Sequence, residues 1–244
     1  MLLVSCGDRQ TSAKKELLIY CGITMIKPMA EIAAIIEKEY DCKIYITKGG
    51  SGNLLKSLKA NQLGDLYLPG SDSYIKTCVQ EGLVTEAVHV GYNKAAMMTR
   101  KGNPRNIPAA LESMLDPRYY VVMGNPESGS IGRETKKILV KRGIFDQAVE
   151  NAKLLTTDSK DLVRVLRDNE ADLVINWYAT STWPENRDAV TVLPIDEKYA
   201  HRNKLMLGLL KFSKHPEIAK AFMSYAALDK GREIFNKYGL YDVK

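Results

Sequence analysis

Three times in this chain an apolar run of strand length ends in a turn of glycine and hydroxyl residues, and a helical pattern follows. Leu17–Cys21 runs into Gly22-Ile23-Thr24, and Lys43–Thr47 into Gly49-Gly50-Ser51-Gly52. Tyr119–Met123 runs into Gly124-Asn125-Pro126-Glu127-Ser128-Gly129-Ser130, and Thr156-Thr157-Asp158-Ser159 opens a further helix. Strands alternating with helices in this way predict an α/β fold with mostly parallel sheets. Ligands of such sheets bind outside the carboxyl ends of the strands. Each helix start there presents unpaired N–H groups and the positive end of its dipole. Several starts converging on one cleft would hold an anion without any catalytic group.

The rest of the chain keeps the same alternation. Helical spacing of Met29, Ile32, Ala33 and Ile36 predicts a helix over 28–40 with Pro28 in its first turn. Ser51 is expected to cap the next helix, and Asp65–Leu68 to form a third strand before a helix starting at Ser71. Tyr92–Arg100 reads as one longer strand, 107–115 as a short helix, and 132–142 as a helix stopped by Gly143. Ser159 is expected to cap a helix that buries Leu162, Val165 and Leu166, followed by strands at 173–177 and 205–212 and helices at 216–228 and 230–238.

Length and charge narrow the function classes. The 244 residues suit one large domain or two smaller ones. The net charge of +6 is spread along the chain, and no basic helix with interleaved aromatics appears, which argues against nucleic acid. No run is long enough to span a membrane. Leu3-Val4-Ser5-Cys6 looks like a lipobox, so residues 1–13 read as a lipoprotein signal remnant and tether with lipidation at Cys6. Cys21, Cys42 and Cys78 form no C-x-x-C pair and have no histidines at ligand spacing; they are expected as buried thiols, with a Cys21–Cys42 bridge as the alternative. His89, His201 and His215 are scattered, and no H-E-x-x-H, G-x-S-x-G or G-x-x-x-x-G-K-[ST] occurs. The expectation is therefore a receptor, not an enzyme, with no cofactor and no metal.

Several landmarks, weak singly, occur together in order: Leu17-Leu18-Ile19-Tyr20 with Thr24, Gly49-Gly50-Ser51-Gly52-Asn53-Leu54, Gly64-Asp65-Leu66-Tyr67-Leu68, Gly124-Asn125-Pro126-Glu127-Ser128, Asn169-Glu170-Ala171-Asp172 leading to Trp177-Tyr178-Ala179-Thr180, and Ile234-Phe235-Asn236-Lys237-Tyr238-Gly239-Leu240. In these the chain resembles the type II periplasmic solute-binding proteins of ABC importers, and among them the molybdate/tungstate-binding proteins, from about Leu17 to its C-terminus. The resemblance implies two lobes, residues 14–89 plus 198–244 and residues 90–197. Crossover strands near 90–98 and 198–212 would join them, with a ligand cleft between that closes by a hinge. It implies capture of a tetrahedral oxyanion, delivery to a membrane permease, and a periplasmic or cell-surface location with the membrane reached only through the lipid.

The same resemblance assigns contacts. Thr24 and Ser51 stand where family hydroxyls meet the oxyanion. A backbone N–H is expected at Ile131 or its neighbours Ser128 to Ser130, and another at Ser159 or Lys160. A family tyrosine falls on Trp177 by ungapped counting and on Tyr178 after a shift of one. Asn176, Arg133 and Lys48 depart from a site of neutral donors, and would suit another anion: sulfate, phosphate, or a small organic or phosphorylated acid. A lipid-anchored surface adhesin and an enzyme on the same scaffold are the readings from other classes. The enzyme would need a general base in the cleft, for which the sequence offers no candidate.

Overall fold

The computed structural model describes residues 14–240, so Cys6 and the expected tether at 1–13 lie outside the described residues. The strands are β1 (Lys15–Gly22), β2 (Cys42–Gly49), β3 (Leu66–Leu68), β4 (Val84–Asn93), β5 (Ala95–Arg100), β6 (Val121–Gly124), β7 (Leu154–Thr156), β8 (Leu173–Trp177), β9 (Val190–Leu193) and β10 (Asn203–Leu210). The helices are α1 (Ile26–Tyr40), α2 (Ser51–Asn61), α3 (Asp72–Gln80), α4 (Ser130–Arg142), α5 (Phe145–Asn151), α6 (Ser159–Arg167), α7 (Pro216–Ala227) and α8 (Asp229–Lys237). Short 3-10 turns follow β1 at Ile23–Met25 and β8 at Tyr178–Thr182.

Two five-stranded sheets result, in the orders β2-β1-β3-β10-β4 and β7-β6-β8-β5-β9. Within each, three strands pair in parallel, and one antiparallel strand, β10 or β5, joins them to the last. Four of the five strands in each sheet therefore point the same way. This is the two-lobed α/β architecture, with helices on both faces of each sheet.

Strand β1 shows how the first sheet is made. Its side chains alternate, as a two-residue period demands. Leu17, Ile19 and Cys21 enter a core built with α1, α7 and α8, while Tyr20 and the partly buried Leu18 enter a second core under α2 and α3. The buried Asp65 pins the short β3 beside it: Oδ2 accepts the Leu18 N–H at 2.8 Å, and Oδ1 accepts the Ser213 hydroxyl at 2.6 Å. The second lobe has one core, holding Met97, Met98, Val121, Val174 and Trp177 against α4 and α6.

Several expectations need correction. The single strand expected over 92–100 is two, because β4 ends in one sheet at Asn93 and β5 begins in the other at Ala95, leaving Lys94 between them. The short helix expected over 107–115 is a 3-10 turn at Leu111–Leu115. The elements α5, β7 and β9 were not foreseen. No Cys21–Cys42 bridge forms, because β1 pairs with β2 in register Cys21↔Lys48 and Lys15↔Cys42, putting the two thiols at opposite ends of the ladder. The three described cysteines are free and buried, and burial pushes the Cys78 thiol up to about 11. Gly50, not Ser51, caps α2, and Asp158, not Ser159, caps α6, so both serines are first helical residues.

Candidate functional site: a cavity at six strand ends

Three strand ends from each sheet meet at one small cavity. Ile23 and Thr24 follow β1, Gly50 and Ser51 follow β2, and Gly70 follows β3. From the other lobe come Gly129, Ser130 and Ile131 after β6, Asp158 and Ser159 after β7, and Trp177, the last residue of β8. The cavity is about 10 Å³, the scale of one water position. It is far below the pockets for organic ligands, which run to ~300 Å³ or more.

Three helices begin at this cavity. The caps of α2 and α4 are glycines that offer no side-chain hydrogen bond, so the first-turn N–H groups depend on other acceptors. The cap of α6 differs. Asp158 Oδ1 accepts the Lys160 N–H at 2.8 Å and the Asp161 N–H at 3.2 Å. Of the two N–H groups expected there, Lys160 is thereby spent and that of Ser159 remains.

The hydroxyls are set by what they accept. Ser51 Oγ accepts the Gly70 N–H at 3.0 Å, and Ser130 Oγ accepts the Trp177 indole N–H at 3.2 Å. A hydroxyl that already accepts has its own proton to give. Thr24 Oγ1 accepts from Asn93 Nδ2 at 3.3 Å and donates to the Met25 sulfur at 2.7 Å. Thioether sulfur is a weak acceptor, so an anion oxygen would compete well for that proton. Behind Ser51, the fully buried Tyr67 donates its hydroxyl to the Ser51 carbonyl at 2.7 Å. Burial holds that phenol well above the usual tyrosine range, keeping it a neutral donor.

The lobes meet tightly beside the cavity. The Asn53 N–H donates to the Ser128 carbonyl across the seam at 3.1 Å. A Cβ on Gly50 would collide with the Ser128 carbonyl and sit 2.7 Å from that of Thr157, both in the opposite lobe. Glycine is the residue that permits such a backbone approach.

Thr24, Ser51, Ser130, Ile131, Ser159 and Trp177 thus share one cavity, while the other named residues lie elsewhere. Ser128 is at the seam, its hydroxyl donating to the Asn125 carbonyl at 3.3 Å. Asn176 is fully buried behind the wall: Nδ2 donates to the Ser159 carbonyl at 2.9 Å, and Oδ1 accepts the Trp177 N–H at 2.8 Å. It positions two cavity residues and is not itself among those lining the cavity. Trp177, the last residue of β8, lines the cavity, whereas Tyr178 opens the 3-10 turn that follows and is not among the lining residues. Arg133 reaches across the seam to stack 3.9 Å from the Tyr74 ring centre, and Lys48 lines a separate groove. Gly129 falls within the 128–130 stretch expected to offer an N–H, whereas Gly70 and Asp158 were not among the expected site residues. A glycine pair after a strand is a visible signal, but nothing in spacing tells a cap that faces a ligand from one that only ends a helix. Among the described residues, no group of three or more His, Cys, Asp or Glu is placed to hold a metal, and no helix is long and apolar enough to cross a membrane.

A sequence model of the bacterial extracellular solute-binding proteins matches residues 17–241. A Bacillus subtilis protein provisionally named as the ABC transporter substrate-binding lipoprotein YvgL is 22% identical, over 98% of this chain and 93% of its own. The periplasmic molybdate-binding protein of Azotobacter vinelandii superposes with a TM-score of 0.78 at 13% identity, covering 93% of this chain and 100% of that one. The sulfate-binding protein SubI of Mycobacterium tuberculosis gives 0.80 at 14%, covering 94% and 88%. A periplasmic thiamin-binding protein gives 0.79 at 15%, covering 99% and 87%. At such identities the likeness to these structures is one of fold, and the fold alone does not choose the ligand.

Proposed function

From the premise that the chain belongs to the bacterial extracellular solute-binding proteins, we propose that it is the receptor of an ABC importer and captures a tetrahedral oxyanion, molybdate or tungstate. The name of the Bacillus relative supports the importer role and a lipid-anchored extracytoplasmic location. The mechanism is capture without turnover. Hydroxyls and helix N-termini donate to the oxygens, the lobes close, and water is excluded. Closure hands a membrane permease a protein with its ligand enclosed.

One observation carries this reading. The Ser51 and Ser130 hydroxyls each accept from a protein N–H, so both are left to donate. The one carboxylate at the wall, Asp158, has its Oδ1 turned to two backbone N–H groups. Such a site is made of donors. A fully deprotonated dianion has only acceptors to offer and is matched at every oxygen. Hydrogen phosphate carries a proton as well, and of the one carboxylate at the wall only Asp158 Oδ2 is left to accept it. Sulfate is the second reading, favoured by the small cavity volume.

The test is a calorimetric titration of the ligand-stripped protein with molybdate, tungstate, sulfate and phosphate. Tight binding of the first two, with phosphate weaker, is the expected result, and phosphate bound as tightly would put its proton on Asp158 Oδ2. Tight sulfate with weak molybdate moves the assignment to the second reading, and no heat with any of the four sinks the oxyanion assignment.

A further inference from the structure

Beside the oxyanion cavity, and sharing Ile23 with it, a groove of about 200 Å³ runs between the lobes. One wall is a single stripe of α6: Lys160, Val163, Arg164 and Arg167, at spacings that stack on one helix face. Ile26, Lys27 and Lys48 of the first lobe face it, and Trp183, Glu185 and Asn186 close the end. The floor is apolar, with Ile23, Val163 and Trp183 all buried, and the rim is cationic.

The rim charges are unequally satisfied. Lys27 pairs with Glu185 at 3.1 Å and lies 5.1 Å from the Trp183 ring centre. Arg164 pairs with Asp168 and Glu170, and Arg167 with Asp168. Lys48 and Lys160, on opposite lobes, have no anionic partner among the described residues. Two further groups are unsatisfied: Trp183 Nε1 and Asn186 Oδ1 are buried with no hydrogen-bond partner. Finished cores rarely leave such groups unpaired.

We propose that this groove is a second ligand site, for a small organic acid with two anionic groups on an apolar body. The body lies on Trp183, Val163 and Ile23, and the anionic groups meet Lys48 and Lys160. At about 200 Å³ with an apolar floor the groove takes a single-ring acid, smaller than the drug-sized ligands of ~300 Å³ pockets, whereas the oxyanion cavity of about 10 Å³ is too small even for that. The argument rests on the reading of the cavity only in treating the two sites as separate.

Isophthalate is a suitable probe, being a flat dianion without a tetrahedral head. Titrated into molybdate-saturated protein, it is expected to bind, to change Trp183 emission, and to leave molybdate in place. Lys48→Ala with Lys160→Ala, both exposed positions, is expected to weaken isophthalate by about tenfold and to leave molybdate unchanged. Trp183→Phe removes the emission change. No isophthalate binding, displacement of molybdate by it, or equal affinity in the lysine double variant would overturn the proposal. If molybdate itself gives no heat, the cavity reading fails alone, and the same isophthalate titrations on the ligand-free protein and its double variant still decide the groove.

Discussion

The two lobes have the same sheet order and offer different chemistry from equivalent places. In each, the cavity is met by the ends of three parallel neighbours, β2-β1-β3 in one lobe and β7-β6-β8 in the other. At the outer strand, the first lobe puts Gly50 then Ser51, and the second puts Asp158 then Ser159. The glycine leaves its helix start open to a ligand and to the opposite backbone, whereas the aspartate closes its own helix start with two hydrogen bonds. At the third strand the first lobe ends on Gly70, whose N–H holds Ser51 Oγ, and the second ends on Trp177, whose indole N–H holds Ser130 Oγ. Topology fixes where a donor stands, and the residue after the strand decides whether it is free. The lobes reach the same end, a hydroxyl primed to donate, by backbone in one case and by side chain in the other.

Five substitutions would break or sharpen that comparison. The largest effect is expected from Gly50→Ala, which drives a methyl into the Ser128 and Thr157 carbonyls and holds the lobes apart. Oxyanion affinity should fall by roughly 100-fold, about 2.7 kcal/mol, with thermal stability of the ligand-free protein nearly unchanged. An unchanged affinity would mean that the seam is not closed in the bound state. Ser51→Ala removes one donated proton and should cost about 2 kcal/mol, the range for a hydrogen bond to a charge. Ser128→Ala, whose hydroxyl is spent on Asn125, should cost nothing measurable in the same titration. Trp177→Phe keeps the ring and removes the N–H that orients Ser130, so a loss of about 1 kcal/mol is expected. A loss as large as that of Ser51→Ala would show instead that the indole contacts the anion itself. Arg133→Ala deletes the stacking on Tyr74 across the seam. With Tyr74 buried and Arg133 half-buried, that contact is worth about 1 kcal/mol, and stopped-flow release should quicken by about fivefold.

The sequence made the strand ends legible because glycine and serine after an apolar run are a local signal. Thr24, Ser51, Ser130 and Ser159 stand in such turns, whereas Ile131 and Trp177 are named only through the family resemblance, which leaves Trp177 and Tyr178 open. What it concealed was the state of each group. Asn176 reads as a free donor, and only the packing of α6 against β8 shows its amide bonded to the Ser159 carbonyl and the Trp177 N–H. Arg133 reads as a charge for the ligand, and only the meeting of α4 with α3 shows it on Tyr74. Strand β7 was overlooked because Leu154–Thr156 is three residues long, too short for any period to register. The passage between sheets at Lys94 left no mark either, since Tyr92–Arg100 is extended throughout and a change of partner does not interrupt the pattern.

The Asn53–Ser128 backbone bond has a kinetic meaning as well as a structural one. In the proposed closed state, an ion held in the cavity would sit beside a seam joined backbone to backbone. Its lifetime inside is then the waiting time for the lobes to part. Residence becomes a property of the hinge and seam rather than of the donors, and whatever unloads this protein must first pull it open.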